Sequence, residues 1–259
     1  MTTTVEGIQT QARGLKRLNL IVGVLHAAQA LLILVLAKAA ALQVVAFYMT
    51  GPPGEGSFGG PARLFDLRID LAVVLFLALA AIDHLSVATW ANGWYDKQIE
   101  RGVNPARWIE YSISASVMIV LIAMLAGVNE ITALIALFGV NASMILFGLV
   151  MERANEGRET VDWSPFTYGC IAGAIPWIAI AVQLGVSEGQ GSSPPAFVYA
   201  IFVTLFILFN TFAVNMWLQY RARGRWASPV FAERVYLWLS LLAKSALAWQ
   251  VYFGALAGS

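Results

Sequence analysis

Lys244 stands in the run from Val235 to Ala257, VYLWLSLLAKSALAWQVYFGALA, as its only ionisable group besides tyrosine. A charged lysine at the centre of a membrane helix costs about 2.5–3.5 kcal/mol on insertion scales, so its presence there asks for a chemical reason. The common reason is that the amine is consumed in a Schiff base with a carbonyl compound. A protonated Schiff base in turn needs an anion beside it, because a buried cation without compensation gives up its proton.

Glu110 is the acid best placed for that work. It lies about one turn into the third apolar span, in the run Trp108-Ile109-Glu110-Tyr111-Ser112-Ile113-Ser114. Ser114 shares its helical face at i, i+4 spacing and could hydrogen-bond the carboxylate or a water beside it. A second reading stays open, in which Glu110 is an interfacial residue that snorkels to water. If both helices start level, Lys244 lies about 14 Å deeper than Glu110 at a rise of ~1.5 Å per residue, and the lysine stem recovers roughly half of that. Ser240, four residues before Lys244, either hydrogen-bonds the Lys244 nitrogen or bonds its own helix backbone.

Two histidines also fall inside spans, His26 central in the first and His84 near the end of the second. They read either as polar packing residues or as a proton-accepting group with its water network. Asp83 adjoins His84 but points about 100° away on a helix. Asn141, Asn210 and Gln250 are uncharged polar residues of the kind that join helices in a bilayer. Pro176-Trp177 differs from the other aromatic positions, because a proline within a span frees a backbone carbonyl and opens space beside the helix. With Met118, Phe206 and Phe209 it could wall an elongated apolar ligand.

The elements that position these groups are legible in the composition. The chain is 59% hydrophobic and 12% charged, far from the roughly 25% charged residues of soluble domains. Apolar windows of spanning length occur at 15–37, 67–90, 106–126, 130–151, 165–186, 196–220 and 230–256. Seven such spans use nearly all of the 259 residues, so the sequence predicts one transmembrane domain over 1–259. Asn104-Pro105, Ser164-Pro165 and Ser228-Pro229 each predict a cap residue before a first-turn proline. The first apolar run exceeds the usual length of a signal-peptide core and contains His26 and Gln29, so it reads as a retained helix. Between Leu42 and Gly60, the β-prone run Val44 to Met49 and the turn-rich Gly51-Pro52-Pro53-Gly54 predict a short strand or hairpin.

Several functions are excluded. One cysteine, Cys170, allows no intrachain disulfide, and two histidines with one cysteine offer no metal-ligand spacing. Arg221, Arg223, Arg225 and Trp226 form a basic patch with an aromatic, which reads as an interface anchor rather than a nucleic-acid site.

Lysine and arginine set the direction of insertion. The N-terminus and the second, fourth and sixth loops with their margins hold Arg13, Lys16, Arg17, Lys97, Arg101, Arg107, Arg153, Arg158, Arg221, Arg223, Arg225 and Arg234. The first loop and its margins hold Lys38, Arg63 and Arg68, and the third loop, fifth loop and C-terminus hold none. Twelve against three predicts a cytoplasmic N-terminus and an extracellular C-terminus.

Over essentially its whole length the sequence resembles the heliorhodopsins, retinal proteins distantly similar to type-1 microbial rhodopsins. The resemblance is carried by Gly51-Pro52-Pro53-Gly54, by the run from Trp108 to Ala123, by Phe138 to Gly148 (FGVNASMILFG), and by Ala243 to Gln250 (AKSALAWQ). It implies an all-α membrane protein, a rhodopsin-like seven-helix bundle of inverted topology with a short β element in the first extracellular loop. It further implies all-trans retinal held as a protonated Schiff base on Lys244, with Glu110 as counter-ion and Ser240 and Ser114 hydrogen-bonding near the linkage. Tyr111, Met118, Asn141, Ile145, Pro176, Trp177, Phe206 and Phe209 are the implied retinal pocket. His26 and His84 match the family's two cytoplasmic-side histidines, whereas Asp83 departs from the apolar residue expected there. Members of the family are similar in forming dimers, in a slow photocycle and in a sensory role whose downstream partner is unknown.

Two other functions compete. Outward proton pumps resemble one another in a helix-three acid, a hydroxyl four residues on, a second acid eleven residues on, and an aspartate four residues before the lysine. Here those positions are Glu110, Ser114, Leu121 and Ser240, so two of the three carboxylates, at Leu121 and Ser240, are missing. A light-driven or light-gated transporter that relays protons through its histidines and Glu110 remains the alternative. A seven-helix binding protein for a small molecule or lipid, with Lys244 merely structural, would show no visible absorption.

Overall fold

A computed structural model describes residues 5–52 and 54–257, with side chains from residue 14 onward. Seven helices are long and apolar enough to cross a bilayer: Gly14–Leu36, Ile69–Ala88, Pro105–Leu125, Ile131–Ala154, Ser164–Gly189, Ala196–Tyr220 and Pro229–Leu256. In chain order the elements are α1 (Val5–Leu36), β1 (Ala41–Ala46), β2 (Ala62–Arg68), α2 (Ile69–Ala88), α3 (Asn92–Glu100), α4 (Pro105–Leu125), α5 (Ile131–Ala154), α6 (Ser164–Gly189), α7 (Ala196–Tyr220) and α8 (Pro229–Val251). A 3-10 turn at Gly224–Ala227 precedes α8, and a π-turn at Tyr252–Leu256 follows it. Helices suit this composition because each satisfies its backbone hydrogen bonds internally, as a bilayer requires.

The helices form a ring in which α1 packs on α2, α2 on α4, α4 on α5, α5 on α6, α7 on α8 and α8 back on α1. Between α6 and α7 the backbones stand farther apart, and the seam is filled by Phe202, Phe206 and Phe209 set edge-on against Trp177 at 5.4–5.8 Å. The buried centre is apolar, with Phe76, Met118, Ile119, Leu121, Ile122, Ile180, Ile201 and Leu247 enclosed. An odd number of spans puts the ends of the bundle on opposite faces, here called the amino-terminal face and the hairpin face.

The β element begins earlier and reaches farther than the sequence predicts. β1 and β2 pair antiparallel with Ala41 opposite Arg68 and Val44 opposite Phe65, and the register shifts between Val44 and Val45. Val44 and Val45 are buried, and Val44 packs with Met124 and Leu134, which explains why pairing starts before Val44. Val45 N–H donates to the Asn129 carbonyl at 3.0 Å, strapping the hairpin to the α4–α5 connection. Of the Gly51-Pro52-Pro53-Gly54 turn, Pro53 lies outside the described residues.

The three proline starts differ in detail. Asn104 caps α4 as predicted, accepting from Arg107 N–H at 3.1 Å ahead of Pro105. Ser164 is instead the first residue of α6, its N–H donating to Asp162 Oδ1 at 3.0 Å, and Trp163 occupies the cap position. Ser228 precedes α8 without a side-chain cap bond. The short helix α3 was not anticipated, because NGWYDKQIE has no apolar stripe and buries only Tyr95.

Candidate functional site

Lys244 projects from the middle of α8 into the bundle and is 3% exposed. Its Nζ donates to Glu110 Oε2 at 3.1 Å and to Ser240 Oγ at 3.2 Å, and lies 4.5 Å above the Tyr111 ring. Glu110 is 8% exposed, so it turns inward rather than snorkelling to the interface. The depth difference expected from residue numbers does not keep the two groups apart. The lysine stem leans back toward the N-terminus of α8, as helical side chains do, and so reaches the level of Glu110. Tyr111 O–H donates to the Tyr236 carbonyl at 3.2 Å, fixing α4 against α8 at this height.

Other predicted partners are placed differently. Ser114 is fully buried but its Oγ meets no partner among the described residues, and neither does Glu110 Oε1, so the expected Ser114–Glu110 hydrogen bond is not formed. Asn141 Nδ2 donates to Ser116 Oγ at 3.0 Å, joining α5 to α4, and lies outside the cavity wall. Pro176 is buried behind the wall rather than on it.

Beside Lys244 lies a cavity of about 320 Å³, inside the range of about 300–1,000 Å³ usual for small-molecule sites. Lys244, Ser240 and Tyr111 line it, and Met118, Ile145, Trp177, Phe206 and Phe209 are among the apolar residues of its wall. Gly148 lets the Trp108 ring, also on the wall, lie close against α5, since a Cβ there would overlap that ring. Phe206, 44% exposed, and the exposed Cys170 carry the wall out to the surface of the bundle at the α6–α7 seam.

His26 and His84 stack with ring centroids 5.7 Å apart and planes 8° from parallel. Both are buried. His84 Nδ1 lies 2.9 Å from Asn19 Oδ1, whereas His84 Nε2 and both His26 nitrogens meet no partner among the described residues. Asp83 is half-buried and forms none of the ion pairs of the described residues.

A second buried polar cluster escaped the sequence reading, which counted Arg107 among the loop cations. Arg107 is enclosed, and its guanidinium pairs with Glu152 and with Glu233 at once. It also sits over the rings of Tyr236, at 3.9 Å, and Trp108, at 4.7 Å. Asn104 N–H donates to Glu152 Oε2 and Asn104 Nδ2 to Glu233 Oε1, both at 2.7 Å. A signal for this cluster did exist. Arg107 opens α4, Glu152 closes α5 and Glu233 opens α8, so all three charges stand at one face of the bundle within apolar spans.

Comparison with known proteins gives the frame for this site. The Heliorhodopsin family model matches residues 15–256, nearly the whole chain. The chain belongs to the heliorhodopsin family. Heliorhodopsins are retinal photoreceptors, so the fold carries a retinal chromophore and sits in a membrane. No curated protein matches the chain. Among solved structures it is similar in fold to the crystal structure of a light-driven proton pump, LR (Mac), from Leptosphaeria maculans, with 17% identity, a TM-score of 0.59, and coverage of 98% of this chain and 95% of that one. The residues of this heliorhodopsin fit a retinal group, because a mostly apolar cavity is lined by a buried amine that already faces a carboxylate.

Proposed function

We propose that this heliorhodopsin is a light sensor that binds all-trans retinal through a protonated Schiff base on Lys244. The observation that carries the reading is the Lys244 amine, buried, lining the cavity and 3.1 Å from Glu110. When bound, retinal supplies visible absorption and a light-driven change of shape. Glu110 acts as the counter-ion, and Ser240 accepts a hydrogen bond from the same nitrogen. Ser114 and the second oxygen of Glu110, both without a partner among the described residues, would bind water beside the linkage. Tyr111, Met118, Ile145, Trp177, Phe206 and Phe209 hold the polyene, and Asn141 and Pro176 shape the wall from behind. His26 and His84 receive the proton that leaves the Lys244 nitrogen after light.

Signalling, rather than transport, is the output we infer. Leu121 is buried and apolar where a pump carries its second acid, and Ser240 stands in place of another. The chain works as one domain over 1–259, as a homodimer with an unknown downstream partner. Its N-terminus is cytoplasmic and its C-terminus extracellular, by the twelve-to-three bias of basic residues.

The test is reconstitution. Purified protein with added all-trans retinal should become coloured, and Lys244→Ala protein should fold but stay colourless and form no hydroxylamine-sensitive adduct. A coloured, covalently loaded Lys244→Ala protein refutes the assignment. Illuminated cells in unbuffered salt should show no sustained pH change beyond Lys244→Ala controls; one abolished by an uncoupler would instead establish transport. An epitope tag at Met1 should be shielded in intact cells and one at Ser259 accessible, and the reverse pattern refutes the orientation.

A further inference from the structure

The hydrogen bond between Asn19 and His84 has a direction, and that direction is set about three links away. Asn19 Nδ2 donates to the Leu15 carbonyl at 3.1 Å, a group that can only accept. The same Nδ2 faces Tyr95 Oη at 3.5 Å, and Tyr95 O–H donates to Glu233 Oε1 at 3.2 Å. Glu233 is an acceptor too, since its oxygens take donors from Arg107 and Asn104. Two acceptor-only groups, the Leu15 carbonyl and the Glu233 carboxylate, therefore claim the amide's N–H side. Asn19 Oδ1 is left to face His84 and must accept, so His84 Nδ1 carries the ring proton. The basic nitrogen is then Nε2, which is buried and meets no partner among the described residues.

We propose that Asn19 is a positioning residue for light-driven proton capture: it commits His84 to the Nδ1–H tautomer, so that Nε2 is the atom that receives the proton. The proposal rests on the reading of His84 as acceptor. In the step, the N–H bond at Lys244 breaks, its electron pair stays on that nitrogen, and the proton bonds to the Nε2 lone pair. His84 becomes an imidazolium whose Nδ1–H still donates to Asn19 Oδ1. The row of donors then runs unbroken from His84 through Asn19 and Tyr95 to Glu233, and the dipoles of both intermediate side chains point their negative ends at the new cation. This gives α3 a purpose, because Tyr95 is the one residue it buries.

Nitrogen-15 spectra of labelled histidine in the dark, retinal-loaded protein test the tautomer directly. The chain has two histidines, so a His26→Asn sample assigns the signals. Nδ1 of His84 should be protonated and Nε2 bare; a proton on Nε2 overturns the proposal, whatever any variant does. Asn19→Leu should give mixed tautomers. It should also slow the flash-induced loss of the Lys244 proton by about tenfold or more, a part of the roughly 10²–10⁴-fold that a positioned base supplies. Asn19→Asp, again an acceptor toward His84, should restore both. A purely structural Asn19 would leave the tautomer unmixed in Asn19→Leu, and that result also overturns the proposal. If the tautomer responds as stated but light never yields a doubly protonated His84, the acceptor reading falls and the capture role falls with it. Dark spectra of the retinal-free protein keep the tautomer question separate from chromophore binding.

Discussion

Arg107 is one cation set between two carboxylates, and replacing it should cost far more than losing a surface ion pair. Its side chain is 4% exposed, and those of Glu152 and Glu233 are 2% and 7% exposed. Arg107→Met leaves two buried carboxylates with no cation. Removing one member of a buried pair costs about 3–5 kcal/mol, against 0–1 kcal/mol for an exposed pair. The contacts over Tyr236 and Trp108 are lost as well, worth about 2 kcal/mol where desolvated. At about 2–4 °C per kcal/mol for a chain of this size, the pair alone predicts a fall in melting temperature of about 6–20 °C. Arg107→Met/Glu152→Leu/Glu233→Leu should recover most of it, because an apolar set of similar volume avoids burying charge at all. The assay is loss of visible absorbance on heating the retinal-loaded protein in detergent at a fixed scan rate, since such unfolding is governed by rate. Arg107→Met melting within about 2 °C of the original protein would refute the reasoning, and so would a triple variant that falls as far as the single one.

Two further outcomes follow from two carboxylates, one beside Lys244 in the bundle and one capping α5 at the hairpin face. Glu110→Gln removes the negative charge 3.1 Å from the Lys244 nitrogen, so positive charge on a retinal linkage spreads along the polyene and the absorption maximum moves to the red; an unchanged maximum in titrated samples at matched salt would place the counter-ion elsewhere. Glu130 caps α5 from outside the span, and hydrogen bonds from Thr132 and from Ala133 N–H hold its carboxyl below the usual range. A depressed folded-state value stabilises the protein above the unfolded value of about 4.3 and is lost as pH falls through the folded one, so Glu130→Gln should lower thermal stability at neutral pH and converge with the unsubstituted protein in acid. Curves that stay parallel down to the acid limit would show that the cap contributes nothing ionic.

Periodicity and composition made the spans legible, because each of the seven had to present about twenty apolar residues whatever it packs against. Lys244, Glu110 and Ser240 stood out for the opposite reason: a polar residue inside such a run is expensive unless it finds partners, and these three meet at 3.1 and 3.2 Å. Helical spacing gives an angle around the axis but not the distance across it: Ser114 and Glu110 form no hydrogen bond with each other among the described residues, and Asn141, read from its type as a residue that joins helices, ties α5 to α4 through Ser116. The hairpin began earlier than its β-prone residues indicated, since Val44 is held by Met124 and Leu134 from distant segments.

Arg107 shows where a span-by-span reading misleads. A basic residue at a helix start scores as a topological anchor, and near a membrane surface that is its ordinary use. Glu152 and Glu233, at the ends of two other spans, look like ordinary interfacial acids when each helix is considered alone. Their meaning comes only from the packing of the ring, which sets α5 beside α4 and brings the start of α8 across the bundle toward both, so that three end charges meet. The same packing draws Tyr95 inward from a short helix that has no apolar stripe to announce it. From Glu233 the hydrogen bonds pass through Tyr95 and Asn19 to His84, so an anchor at the amino-terminal face orients an imidazole in the interior. Without Arg107, a structural cation, the count stands at eleven against three, a bias of the same sign as the one from which the orientation is proposed.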